Sequence, residues 1–301
     1  MLCGQANGKG NEEAMEKGTI IKGIGGFYYV RTQNGTVYEC KARGVFRKQR
    51  ITPMVGDRVE IEIGNEKGSI TAIEPRGKTL LRPAVANIDQ LVIVAAAASP
   101  DPNLFLLDKM LVNAHISGIY PILCVNKTDL REDGLLREIY QKAGYRVISV
   151  CAEREENIGA LRQILEHKVT AFAGLSGVGK SSLLNLLTEH HMETGAVSDR
   201  IGRGRHTTRH IELMELPGGG YVFDTPGFSS LEITGIKAEQ LQTCFPEMDM
   251  EGEECRFRGC AHIKEPDCVI RERLERGEIA PSRYESYVTI YEALKSMKEW
   301  Q

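Results

Sequence analysis

The eight residues Gly174-Leu175-Ser176-Gly177-Val178-Gly179-Lys180-Ser181 match the pattern GxxxxGK[ST] in full. Glycines spaced in this way let successive backbone N–H groups curl around phosphate oxygens, and the dipole of a following helix adds attraction for the anion. Lys180 is then placed to reach the β- and γ-phosphates, and Ser181 to ligate Mg²⁺, with Ser182 completing the stretch. A Gly-rich turn ahead of a helix is the plain structural alternative. The flanking sequence argues against it, because a strand-like TAFAG precedes the loop and a helix-like SSLLNLLTEH follows it.

A second chemical motif lies upstream. Asn126-Lys127-Thr128-Asp129 has the form NKxD. A carboxylate at Asp129 can accept two hydrogen bonds from the N–H groups on one edge of guanine, and adenine offers no such pair. Asn126 is suited to hold the loop and the base, and the methylenes of Lys127 to cover the ring face. The same four residues, Thr128 included, also make an ordinary turn and helix cap. Their place after the apolar strand PILCV favours ligand binding, since open α/β sheets bind ligands past the carboxyl ends of their strands. Cys151-Ala152, at the end of the strand RVISV, stands where a Ser-Ala pair would back the guanine.

Downstream of the phosphate loop, Asp224-Thr225-Pro226-Gly227 forms a DxxG element. Asp224 is expected to hold Mg²⁺ through water, and the Gly227 N–H to sense the γ-phosphate. The intervening segment, Ser198–His210, carries Thr207 and Thr208, one of which is expected to close over Mg²⁺ as a switch ordered by the γ-phosphate. The order along the chain is therefore base reader, guanine backstop, phosphate loop, first switch, second switch. That is a cyclic rotation of the usual GTPase order. Such a rotation is physically cheap when the original termini lie close together at the surface.

A third cluster suggests metal. Cys255, Cys260, His262 and Cys268 offer three thiolates and an imidazole within fourteen residues, a set suited to tetrahedral structural Zn²⁺ with no open position. Buried core cysteines beside a surface histidine are the alternative. The stretch Lys41–Arg50 holds five cations, among them Arg43, Arg47, Lys48 and Arg50, with Phe46 between them. It reads equally as a solvated loop or as a contact for RNA phosphates.

The elements that must position these groups fall into three segments. Residues 18 to about 77 give five short runs rich in Val, Ile, Tyr and Thr between Gly-containing turns, which suits a small OB-type β-barrel. From about residue 86, apolar strands alternate with segments of helical spacing, which signals a parallel sheet covered by helices. From roughly Ala238 the chain is helical and charged around the cysteines. The 301 residues carry a net charge of −3, so nothing draws the whole molecule to nucleic acid, and any basic surface must be local. The longest apolar run, Leu91–Ala98, is too short to span a bilayer. The polar N-terminus lacks a signal-peptide core, so a cytoplasmic location with no membrane partner is expected.

Taken together, the permuted order, GRGRHTTRH, DTPGF, IEPRGKTLLRPAVANIDQ and the cysteine pattern resemble the RsgA (YjeQ/EngC) family of circularly permuted GTPases, which act on the bacterial small ribosomal subunit. The resemblance runs from about residue 18 to the C-terminus. It implies a multidomain protein: an OB-type barrel over 18–77, a central α/β circularly permuted P-loop GTPase domain over 78–235, and a mostly helical zinc-binding domain over 236–301, while the Gly, Asn and Glu content of residues 1–17 suggests a flexible tail ahead of them. It also implies GTP/GDP, Mg²⁺ and one structural Zn²⁺ as ligands, and the small ribosomal subunit and its rRNA as partners. Nothing in the sequence demands a dimer, and a monomer is expected. Cys151 departs from the family's more usual Ser, and the residues ahead of Gly18 lie outside the common pattern.

In Ras-like enzymes a glutamine just after DxxG orients the attacking water, and here that position is Phe228. Slow intrinsic hydrolysis is expected, with the water-orienting group supplied from elsewhere. His206, followed by Thr208, is the internal candidate for catalysis, and the resemblance points to the same histidine. Contact of His206 with RNA phosphates is the competing role. Two rival functions stay open at this point. One is an RNA-binding assembly factor that binds nucleotide with little turnover; the other is a P-loop ATPase or kinase, against which Asp129 argues.

Overall fold

The computed structural model describes residues 14–64, 67–81, 84–188, 211–225, 232–249 and 254–298. His206, Thr207, Thr208, Gly227 and Phe228 lie outside the described residues. Those described form two compact units, one of residues up to 79 with 84–87 and 211–213, the other of the remainder.

In the first unit, β1 (Ala14–Ile24), β2 (Phe27–Thr32), β3 (Val37–Ala42), β4 (Arg58–Gly64) and β5 (Lys67–Ile73) close into a barrel in the order β1-β2-β3-β5-β4. Only β3 and β5 run parallel. β1 serves two neighbours: its first half pairs with β4 and its second half with β2, and an irregularity between Ile20 and Lys22 bends it from one to the other. Residues 14–17, expected in the tail, are thus part of a paired strand. Ile20, Val30, Cys40, Val59, Ile61 and Ile70 fill the interior. A side chain at Gly68 would put its Cβ 2.3 Å from the Cys40 sulfur, so only glycine lets β5 pass that thiol.

The basic stretch contains a short helix, α1 (Gly44–Lys48), where a loop was the plain expectation. Five residues give too little periodicity to announce a helix. Burial of Phe46 anchors it and leaves Arg47, Lys48 and Arg50 exposed, while Arg43 pairs with Glu62. Beyond α1, Asp57 is wholly buried and is gripped by Arg76 through two 2.7 Å hydrogen bonds. Two short strands, β6 (Thr79–Leu81) and β7 (Ala84–Ala86), follow the barrel strands in the chain.

The second unit is built on β8 (Gln90–Ala96), β9 (Tyr120–Asn126), β10 (Arg146–Ser149), β11 (Val169–Gly174), β12 (Met214–Glu215) and β13 (Tyr221–Asp224). Their order across the sheet is β10-β9-β8-β11-β13-β12, parallel apart from the edge strand β12. The chain steps outward from β8 to β10, then returns to place β11 on the other side of β8. Strand order reverses there, and β8 and β11 are buried on both faces, as their unbroken apolar runs require. The connecting helices are α2 (Leu104–Ile116), α3 (Gly134–Lys142), α4 (Ile158–Leu165) and α5 (Lys180–Leu187). One face of the sheet packs on α4 and α5 through Val94, Phe172, Leu161 and Leu184.

The C-terminal part adds 3₁₀ turns at Ala238–Cys244 and Pro246–Met248, then α6 (Val269–Glu275) and α7 (Pro281–Lys298). It belongs to the same compact unit as the sheet. Leu241, Phe245, Met248, Ile270, Tyr287 and Ile290 form one apolar cluster with Val112 of α2. Among the described residues no helix is long and apolar enough to cross a membrane.

Candidate functional site

The phosphate-loop sequence forms the turn from β11 into α5, with Leu175 packed on the sheet's core and Val178 buried. Gly174, Ser176 and Gly177 complete the turn, and Ser181 and Ser182 lie in the first turn of α5. Gly179 precedes the helix in the left-handed conformation, at φ 89°. A Cβ at this position would lie 2.2 Å from the Asn126 amide nitrogen, so glycine is needed for backbone conformation and for space.

Asn126 joins three pieces of the site. It ends β9, is 1% exposed, donates from Nδ2 to the Val178 carbonyl at 3.0 Å, and accepts from the Ala152 N–H at 3.0 Å. The phosphate loop, the base reader and the backstop are therefore fixed to one amide side chain. Lys127 follows with φ 62° and reaches back to the Ser99 carbonyl. Thr128 donates to the Val150 carbonyl at 3.1 Å, which ties the reader loop to the strand exit beside it. Asp129 is half-buried and its Oδ1 accepts from the Cys151 thiol at 3.1 Å. The sequence-predicted base-reading, backstop and phosphate-loop residues are thus brought to one edge of the sheet, at the carboxyl ends of β9 and β11.

Lys180 Nζ lies 2.6 Å from Asp224 Oδ1, which stands at the end of β13. The contact is a charge pair rather than an aligned hydrogen bond, and that buried oxygen has no aligned donor. A carboxylate oxygen left in this state beside the phosphate loop suits a cation or a cation-bound water, so the residues fit Mg²⁺.

The ligating atoms of Cys255, Cys260, His262 and Cys268 lie within 4.8 Å of one another. His262 Nδ1 faces the thiols, 3.3 Å from Cys268 and 3.6 Å from Cys255. Its other nitrogen, Nε2, is 2.8 Å from Gln242 Oε1, which fixes that nitrogen as the donor and leaves Nδ1 free to ligate. Burial pushes the Cys260 thiol up to about 12, so without a cation this pocket disfavours the thiolate that a divalent ion would bind. Three thiols and one imidazole at these separations fit a tetrahedral zinc-type ion. The loop that carries them is held by Glu265. Burial works against its charged form, but the backbone N–H groups of Ala261, Ile263 and Lys264, at 2.9 to 3.0 Å, help hold the carboxyl down at about 2. From α7, Tyr284 and Tyr287 donate to the carbonyls of His262 and Ala261 at 2.7 and 3.1 Å. Sequence reasoning missed Gln242, Glu265 and both tyrosines. None has a spacing signal, because each acts through a fold contact.

Residues 73–234 match the family model described as RsgA GTPase, and residues 17–70 match the RsgA N-terminal domain. The chain belongs to the RsgA family. It is 49% identical over 294 residues, spanning 95% of this chain and 96% of the relative, to the small ribosomal subunit biogenesis GTPase RsgA of Ruminiclostridium cellulolyticum. The RsgA of Agathobacter rectalis is 45% identical over 94% of this chain and 99% of its own. Among solved structures, YjeQ from Thermotoga maritima superposes with a TM-score of 0.79 at 36% identity, covering 93% of this chain and 99% of that one. YloQ, a circularly permuted GTPase, gives 0.79 at 37% identity over 96% and 99%. As a member of the RsgA family the chain is a GTPase of permuted order with an OB-like barrel ahead of it. GTP, GDP and Mg²⁺ are the ligands that RsgA membership implies.

Proposed function

We propose that this GTPase acts in biogenesis of the small ribosomal subunit, binding the subunit and its rRNA as a monomer and hydrolysing GTP to GDP and phosphate under the subunit's stimulation. The observation that carries the proposal is 49% identity over 95% of the chain to a relative named for that role. In this reading Asp129 accepts from the guanine edge, Asn126 and Lys127 hold the base, and Cys151-Ala152 back it. The loop Gly174–Ser182 would cradle the phosphates, Lys180 would neutralise the β- and γ-phosphates, and Ser181 and Asp224 would hold Mg²⁺. One of Thr207 and Thr208 would close over the cation, and Gly227 would sense the γ-phosphate. Arg43, Arg47, Lys48 and Arg50 contact rRNA phosphates. The cluster Cys255, Cys260, His262 and Cys268 holds one structural Zn²⁺, and the domains divide near residues 77 and 235.

When bound, Mg²⁺ supplies charge neutralisation at the phosphates. The chain's own contribution is alignment: Gly179 and Asn126 keep the phosphate loop and base reader in register, so that the γ-phosphate and the attacking water meet in line. Phe228 cannot orient that water, and His206 is the residue assigned that role.

Steady-state GTP hydrolysis, alone and with purified small subunits, tests this with the His206→Ala variant alongside. Stimulation lost in the variant supports the whole reading. Stimulation that survives keeps the GTPase role and moves the water-orienting group elsewhere. No stimulation favours a nucleotide-gated binding factor instead.

A further inference from the structure

Of the seven cysteines among the described residues, Cys40, Cys124 and Cys151 are wholly buried and Cys244 nearly so. Two are part-exposed, Cys255 and Cys260, and both belong to the metal cluster. They line a cavity of about 310 Å³ together with His262, Gln242, Phe257 and Tyr287. Cys268 stands behind that wall. It is 2% exposed, and its sulfur lies 3.9 Å from the Cys255 sulfur. A reachable thiol and a shielded one are thus in contact. A small oxidant that enters the cavity meets Cys255 with a second thiol already beside it.

We propose that this cluster is a redox modification site: a small hydroperoxide oxidises Cys255, Cys268 resolves the product as a disulfide, and the zinc is released. The inference rests on the reading of the four residues as a zinc site. A bound cation keeps the sulfurs deprotonated and therefore nucleophilic. The Cys255 sulfur attacks one peroxide oxygen and the O–O bond breaks. The other oxygen leaves as water, or as an alcohol when the hydroperoxide is organic, and Cys255 becomes a sulfenic acid. The Cys268 sulfur then attacks Cys255, the S–O bond breaks, a second water departs and the S–S bond forms. The two sulfurs together lose two electrons, and the peroxide gains them. The two protons come from the thiols or, where a cation has replaced these protons, from solvent. Closing 3.9 Å to the roughly 2.05 Å of a disulfide takes a movement of about 1.9 Å. The bridge removes two of four donors, and Cys260 with His262 cannot complete a tetrahedral site. The same loop supplies the Ala261 and His262 carbonyls that accept from Tyr287 and Tyr284, so its release also loosens the seat of α7.

The experiment treats the zinc-loaded full chain with hydrogen peroxide. Released zinc is followed with a chromogenic chelator, and the cysteines by intact mass and peptide mapping. Zinc content before oxidation checks the zinc-site reading by itself. The expected result is loss of the bound zinc, a mass lower by two hydrogens per chain, and a mapped Cys255–Cys268 bridge. A dithiol reductant with added zinc reverses all three. Cys244→Ser, outside the cluster, behaves as the parent. Cys268→Ser lacks the resolving thiol, so a sulfenic-acid trapping reagent labels its Cys255 more heavily than in the parent. Should that variant fail to hold zinc, the mapped bridge in the parent decides. A parent that keeps its metal and free thiols under excess peroxide would overturn the inference and leave the zinc-site reading standing. So would sulfinic acid at Cys255 with no bridge, or a bridge through Cys260 in place of Cys255. A chain that carries no zinc before oxidation removes the zinc-site reading, and this inference with it.

Discussion

Arg283 on α7 lies 2.6 Å from Asp108 on α2, and neither side chain is exposed to solvent. The guanidinium also forks onto Glu247, at 2.6 and 3.1 Å, and reaches the Tyr145 hydroxyl at 3.4 Å. The Phe245 ring lies 4.5 Å below it. One buried cation thus joins the cysteine-bearing segment to the helix that follows β8. Removing one partner of such a network strands the opposite charges in a dry interior. Arg283→Met is therefore expected to cost about 3–5 kcal/mol, seen as a lower urea midpoint. An unchanged midpoint would mean that the network contributes nothing net.

The proposed metal site depends on a residue outside the ligand set. Gln242 holds the His262 ring in the orientation that presents Nδ1 to the thiols. Gln242→Leu should lower zinc affinity about 10-fold or more, measured by competition with a chromogenic chelator. Complete removal of the ion should loosen the loop at 254–268 and make it the first site of proteolytic cleavage.

Glu265 gives this loop a pH dependence with a definite sign. Its folded carboxyl sits at about 2, below the ordinary 4.5. A depressed acid contributes stability that is fully present above the ordinary value and fades as pH falls toward the folded one. The parent should therefore be more stable than Glu265→Gln at pH 6, and the gap should narrow at pH 3. Comparing the two proteins at each pH cancels the acid-labile contributions that they share.

Gly179 has no room for a side chain. With φ at 89° and Asn126 Nδ2 only 2.2 Å from a Cβ, Gly179→Ala pushes apart the phosphate loop and the base reader. Nucleotide affinity should fall roughly 100-fold, by strain plus a lost hydrogen bond. The barrel's own thermal transition should be unmoved, which calorimetry can check.

On α1, Arg47 and Lys48 are exposed, while Arg43 is paired with Glu62. If these two cations meet rRNA phosphates, the double change Arg47→Ala, Lys48→Ala should weaken subunit binding. It should also lower the slope of log affinity against log salt by about 2. Arg43→Ala should do less, since its charge is already partly neutralised. An unchanged salt slope would remove α1 from the interface.

What the sequence made legible was local. Contiguous motifs such as Gly174–Ser181 and Asn126–Asp129 carry their chemistry in adjacent residues, and β8 and β9 announce themselves as unbroken apolar runs. What it hid was long-range. Arg283 and Asp108 are 175 positions apart, and nothing about either residue type signals a buried pair. Gln242 and His262 are twenty apart and meet only because a 3₁₀ turn packs beside the ligand loop. α4 was within reach, since Ile158, Leu161, Ile164 and Leu165 have helical spacing, but eight residues make a weak periodic signal. α1 gave less still, because a helix of five residues owes its existence to the burial of Phe46.

The bond from Asn126 to Val178 closes a loop of 52 residues, with the base reader on the earlier side. During synthesis β8 through β10 leave the ribosome before β11 exists. β8, buried on both faces in the finished sheet, therefore waits with one edge unpaired. At about 5–20 residues per second, the stretch from the end of β8 at Ala96 to the start of β11 at Val169 takes roughly 4–15 seconds. The half that carries the NKxD motif is thus born before the half that carries the phosphate-loop motif, the reverse of an unrotated GTPase. Nascent chains of this protein cannot be rescued by nucleotide until β11 and the start of α5 have emerged, and for those seconds the apolar edge of β8 is a surface that a chaperone could recognise.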